Sequence, residues 1–205
     1  DDLLFMATLD AKLLAIQRSN GEVAWTAKLE DYKKGYSGTS SPLIVGDMVV
    51  TGIAGGEYGA RGFVDAYDTD TGKMLWRRYT VPSEGEKGVE TWAGDSWKTG
   101  GGPTWAIGTY DPQSNTLYWP VGNPSPDWNG DVREGDNLYT NSVLALEPET
   151  GEMKWYFQFT PHDMWDYDAT NGLVIDDIVV DGKTVRALMQ PNRNGYVYVL
   201  DATTG

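Results

Sequence analysis

The sequence predicts an all-β protein built as a β-propeller. Three observations carry that expectation: a motif that recurs along the chain, apolar alternation on both sides of each motif's turn, and a scarcity of helical signals. The motif is an alternating apolar stretch, a short polar turn ending in Gly, and a Trp four residues after that Gly. It reads LLAIQRSNGEVAW to Trp25, VDAYDTDTGKMLW to Trp76 and VLALEPETGEMKW to Trp155. In the first copy the Asn-Gly turn, and in the next two the Thr-Gly turn, sits between strand-like runs, which predicts a β-hairpin each time. A fourth copy, YVYVLDATTG, stops at Gly205 before its Trp, so the repeat is expected to continue beyond it. The tryptophans lie 51 and 79 residues apart, a spacing of blade size with an insertion in the longer interval. Repeated units with this aromatic punctuation predict blades packed face to face around an axis, the Trp side chains serving as packing between them.

Composition narrows the function. The 205 residues are 40% hydrophobic and 22% charged, enough for a packed core. Nine Trp and twelve Tyr against four Phe favour rings that pack along one edge and hydrogen-bond along another. A net charge of −14 argues against nucleic acid and is compatible with a basic partner. With no cysteine there is neither a disulfide nor a thiolate metal site. No run is long and apolar enough for a membrane span, and the opening residues DDLLFMATLD lack the pattern of a signal peptide.

Function is expected in the loops at one end of the blades. Three segments stand out: GIAGGEYGARG at 52–62, the Gly-, Trp- and Pro-rich stretch at 94–131, and TPHDMWDYDATNG at 160–172. The glycine runs allow backbone to approach a ligand closely, but neither has the context of a phosphate loop. In WDYD, an extended backbone would point Asp166 and Asp168 to the same side, where a metal ion would relieve their repulsion. A solvated, turn-rich loop is the other reading. The lone histidine, His162, cannot form a zinc site and reads as a turn or supporting hydrogen-bonding residue.

Taken in order, GGEYGARG, GDSWKTGGGPTW, GNPSPDW, TPHDMWDYD and NRNGYVYVLD resemble the quinoprotein methanol/ethanol dehydrogenases, which use pyrroloquinoline quinone (PQQ). The resemblance covers essentially the whole chain. It implies that residues 1–205 form about four blades of an eight-bladed propeller, a partial PQQ-binding domain truncated at both ends. It further implies metal ligation by Glu57, Asn123 and Asp166, with Asp166 also the catalytic carboxylate. Trp105 would form the floor under the quinone, Thr39 would donate to a PQQ carboxylate, and Gly55 and Gly56 would line the same edge. Arg193 would reach the quinone oxygens and stabilise charge growing there. Family members that use lanthanides carry Asp where Asp168 stands, whereas calcium users commonly carry a small residue. A third carboxylate suits a trivalent ion, so a lanthanide(III) is favoured and calcium is the alternative.

The implied reaction is oxidation of a primary alcohol, with electrons passed to a cytochrome c in the periplasm. Two departures bear on it. Ala54 stands where many members carry a Ser donor, and Asp127 separates Pro126 from Trp128, which suggests room for ethanol or longer alcohols. A homodimer and attached haem domains stay open, and the family's cysteine pair would lie upstream. Two other readings compete: a non-catalytic propeller scaffold of the cell envelope, and a quinoprotein dehydrogenase for sugars or polyols. The scaffold would have no use for Glu57, Asn123, Asp166, Asp168 and Trp105 together.

Overall fold

The computed structural model describes residues 2–205 and contains fourteen strands and five short 3-10 turns, with no α-helix among the described residues. The strands form four antiparallel meanders. The first is β1 (Leu3–Ala7), β2 (Lys12–Gln17) and β3 (Val23–Lys28). The second is β4 (Leu43–Val45), β5 (Met48–Gly52), β6 (Phe63–Asp68) and β7 (Met74–Tyr79). The third is β8 (Thr109–Asp111), β9 (Thr116–Pro120), β10 (Ser142–Leu146) and β11 (Met153–Gln158). The fourth is β12 (Val174–Val180), β13 (Lys183–Pro191) and β14 (Val197–Asp201).

Side-chain alternation explains how the sheets stack. In β10, Val143 and Ala145 pack with Tyr118, Leu188 and Ala202 toward the fourth sheet. Leu144 and Leu146, on the opposite face, pack with Leu117, Trp119 and residues of the second sheet such as Val50 and Val64. A third apolar layer, including Leu13, Val49, Phe63 and Tyr67, lies between the first and second sheets. The inner strands β6 and β10, covered on both faces, are therefore nearly continuous buried runs, unlike the alternation read from the motif.

The repeated hairpins are β2–β3, β6–β7 and β10–β11, and their tryptophans do pack between sheets. Trp25 Nε1 donates to Thr69 O at 2.9 Å, Trp76 Nε1 to Pro148 O at 2.8 Å and Trp155 Nε1 to Ala202 O at 3.1 Å, each acceptor lying in the next sheet's repeat. Each indole also covers the turn glycine of that next repeat. A Cβ on Gly72, Gly151 or Gly205 would stand 2.6–2.7 Å from the Trp25, Trp76 or Trp155 ring respectively. An Ala faces the Trp in every hairpin, and a register shift follows at the same place each time, next to Ala15, Ala66 and Ala145. The bulge increases local twist and aims the indole at its neighbour.

Antiparallel order also sorts the loops. Segments following odd-numbered strands emerge at one end of the sheets, and the repeat turns emerge at the other. All the candidate residues fall in the first set.

Candidate active site

Four of those loops are stitched into one face by hydrogen bonds. Thr104 N donates to Ile53 O at 2.8 Å, Gly122 N to Pro103 O at 2.7 Å, and Gly102 N to Asn123 O at 2.9 Å. Asp168 is the hub. It is 7% exposed, its Oδ1 accepts the Asn123 backbone N–H at 3.0 Å, and its Oδ2 accepts the Trp105 indole N–H at 3.2 Å. Thr39 joins through its hydroxyl, which donates to Trp105 O at 3.1 Å. Trp105 itself keeps 38% of its surface exposed.

The segment carrying Asp166 and Asp168 is not extended, contrary to the alternation read from WDYD. Asp166 (φ 58) and Asp168 (φ 51) both take the left-handed conformation, as does His162 (φ 48). The reason is a third acid. Asp163 is fully buried; its Oδ1 accepts the Trp165 N–H, and its Oδ2 accepts the Tyr167 N–H and Asn141 Nδ2–H. Backbone donors on both sides of Asp166 are thereby turned inward to one carboxylate, and no strand ladder forms. His162 sits in the same turn, its Nδ1 2.8 Å from Gly135 O, a supporting contact as expected.

Arg193 approaches both acids, with Nη2 4.0 Å from an Asp166 oxygen and Nη1 3.7 Å from Asp168 Oδ2. Glu57, exposed in the 3-10 turn Gly56–Tyr58, makes itself felt through charge. Burial pushes Asp127 up to about 6, reinforced by the charges of Glu57 and then Asp166. Burial likewise raises Asp168 to about 6 against the pull of its two hydrogen bonds. Asp166 is raised too, by burial first, with Asp163 and Glu57 adding to it and Arg193 opposing. One oxygen of Asp127 is buried with no hydrogen-bond partner.

Two glycines of the site are hemmed in by other loops. The space beside Gly55 (φ 123) is taken by Gly35 O, 2.3 Å from where a Cβ would stand, and beside Gly56 by the Pro103 ring at 2.9 Å. Their small size serves loop-on-loop packing. Gly122, which opens the GNPSPDW motif and has no role of its own in the sequence reading, matters more: a Cβ there would lie 2.4 Å from Asp168 Oδ1.

The structure thus joins Thr39, Trp105, Asn123, Asp166, Asp168 and Arg193 by direct contact or near approach, with Glu57 linked electrostatically. Among the described residues no three His, Cys, Asp or Glu side chains are gathered closely enough to form a metal cage by themselves. The donor chemistry nevertheless fits a hard cation. All the acids offer oxygen, one Asp127 oxygen is unpartnered, and each Asp168 oxygen retains a lone pair beyond its hydrogen bond. The half-exposed Arg193 is the nearby positive charge recorded beside Asp166 and Asp168.

The family described as PQQ: Glucose/ethanol/alcohol dehydrogenase, beta-propeller domain, matches residues 1–205. The chain is 45% identical to the quinoprotein alcohol dehydrogenase PedH of Pseudomonas putida, over 100% of its own length and 37% of that protein. It is 38% identical to the lanthanide-dependent methanol dehydrogenase of Methylacidiphilum fumariolicum, covering 98% of this chain and 36% of the relative. A solved europium-containing methanol dehydrogenase superimposes with a TM-score of 0.96 at 38% identity, over 100% of this chain and 39% of that one. The chain therefore spans little more than a third of the length of these relatives.

Proposed function

The chain belongs to the PQQ-type glucose/ethanol/alcohol dehydrogenase β-propeller family, and from that premise we propose that the protein containing it oxidises primary alcohols to aldehydes using PQQ and a bound metal ion. The observation that carries this reading is the meeting of the Asn123, Trp105, Asp166–Asp168 and Arg193 loops on the Asp168 carboxylate. When bound, PQQ supplies a two-electron acceptor and the metal supplies Lewis acidity at its carbonyl. The residues of this chain do the rest. The partly exposed Trp105 ring would give a planar group its floor, and Thr39, whose hydroxyl donates to Trp105 O in the structure, would turn that donor to a ligand carboxylate. Arg193, beside Asp166 and Asp168, would donate to cofactor oxygens on which negative charge grows. Asp166 takes the hydroxyl proton of the alcohol, an action that depends on placement more than on base strength, because a carboxylate near a cation is a weak base.

Glu57, Asn123 and Asp166 would hold the metal, with Asp168 as a further carboxylate. Three acids favour a trivalent ion over calcium, and the lanthanide named for the Methylacidiphilum relative supports the same choice. Asp127, lodged between Pro126 and Trp128, favours ethanol or a longer alcohol over methanol. A periplasmic cytochrome c is the proposed electron acceptor, to whose basic surface the −14 charge is suited.

The test is ethanol oxidation by the full-length protein reconstituted with PQQ and either lanthanum or calcium, using a dye acceptor. Lanthanum-dependent activity is expected, reduced at least ~100-fold in kcat by Asp166→Asn and abolished by Asp168→Ala. Equal calcium activity with and without Asp168→Ala would leave Asp168 as an acceptor for Asn123 and Trp105 only. Inactivity with every metal would favour the scaffold.

A further inference from the structure

Arg133 lies outside every motif that pointed to the site, yet it is fully buried. Burying a guanidinium is costly unless its donors are satisfied, and here each of its three nitrogens donates to a neutral oxygen. Nε donates to Pro126 O at 3.0 Å, Nη1 to Asn137 Oδ1 at 2.7 Å, and Nη2 to both Asp127 O and Asp163 O. The planar fork thus ties the loop following Asn123 to the start of the segment that carries Asp166.

Asp163 continues the connection. Its carboxylate holds the N–H groups of Trp165 and Tyr167, one on each side of Asp166. Asn141, immediately before β10, anchors that carboxylate to the sheet at 2.6 Å. Asp166 is held in the left-handed conformation, which a non-glycine residue keeps only where its surroundings impose it. The surroundings that do so are the oxygens of Asp163.

We propose that Arg133 and Asp163 act as paired positioning residues, a buried brace that fixes Asp166 relative to the Asn123 loop for alcohol oxidation. The proposal rests on the reading of Asp166 as the proton acceptor given above. Neither residue need touch the alcohol or the cofactor. Lysine cannot replace the fork, since its donors are not coplanar, and an Asn at 163 would set an amide N–H against a backbone N–H.

The experiment uses the full-length enzyme loaded with PQQ and lanthanum, comparing Arg133→Lys and Asp163→Asn with wild type and with Asp166→Asn. Misplacing a reacting group by an ångström costs on the order of 100-fold, so each brace variant is expected to lose about that much kcat while its KM for ethanol and its PQQ content stay near wild type. A second readout does not depend on turnover. Bound europium(III) should show a shorter luminescence lifetime in both variants, as water replaces the displaced Asp166 oxygen. Wild-type kcat and lifetime in both variants, beside an inactive Asp166→Asn, would overturn the brace, as would a lowered Tm with kcat intact. An active Asp166→Asn would instead overturn the reading of Asp166, and the lifetimes would still report whether the brace sets the loop. If Arg133→Lys yields no soluble protein, the near-isosteric Asp163→Asn decides.

Discussion

Gly122 shows how little room surrounds Asp168. The methyl of Gly122→Ala would lie 2.4 Å from Asp168 Oδ1, and that oxygen is the acceptor for the Asn123 N–H. The carboxylate must move, releasing Asn123 and the Trp105 indole together. Overpacking of this kind costs about 1–3 kcal/mol, and lanthanide affinity measured by calorimetric titration is expected to fall at least ~10-fold if about 1.4 kcal/mol of it is lost at the site. Unchanged affinity would remove Asp168 from the proposed ligand set. At this scale the sequence exposed residues that belong to motifs, such as Trp105 and Asp166. It concealed Arg133, which lies in no motif, and the parts of Gly122 and Asp163, which lie in motifs but depend on partners brought close only by the fold; Arg133 and Asp163 are 30 positions apart. The extended reading of WDYD went wrong for the same reason, because local alternation says nothing of a buried acceptor waiting for the N–H groups of 165 and 167.

Between elements, the repeated hairpins act as clasps. Trp76 is 9% exposed, covers Gly151 and donates to Pro148 O. Truncating such a residue to Ala costs about 3–5 kcal/mol, so Trp76→Ala in the full-length protein should lower Tm markedly, while Trp76→Phe should lose roughly the 1 kcal/mol of one hydrogen bond. An equal Tm in all three proteins would contradict the clasp. A second connection runs from β8 to β13, where Asp111 is buried and accepts from Arg186 Nη2 at 2.9 Å. Burial alone would raise the Asp111 carboxyl, but hydrogen bonds from Arg186, Ser114 and the Gln113 N–H outweigh it and hold the group below the ordinary range. Its folded value is below its unfolded value near 4. The stabilisation is therefore complete above that unfolded value and disappears as pH falls through the folded one. Denaturant titrations of wild type and Asp111→Asn should differ at neutral pH and converge in strong acid; a pH-independent gap would show that charge is not its source.

For the whole molecule, three apolar layers join four sheets, and the outermost faces keep apolar side chains exposed. Leu4 and Met6 on β1 are 54% and 46% exposed, and Val197 and Val199 on β14 are 70% and 53% exposed. Patches of this sort mark surfaces that expect a partner. The 205 residues produced alone are expected to associate as concentration rises in a sedimentation experiment. A monomer with one sharp thermal transition would show that these four sheets are sufficient by themselves.

The sequence alone determined the all-β class, the repeat and the clasping tryptophans, because strand period, turn glycines and indole placement are local properties repeated in register. It also displayed the acids and Trp105, since these stand in short contiguous motifs. Only the tertiary structure decided how they meet: that Asp168 is a hub between Asn123 and Trp105, that Asp163 turns Asp166 out of an extended path, and that Gly55 and Gly56 make room for other loops. Those outcomes rest on hydrogen bonds and close approaches between segments far apart in the chain, and their geometry exists only once the sheets have stacked.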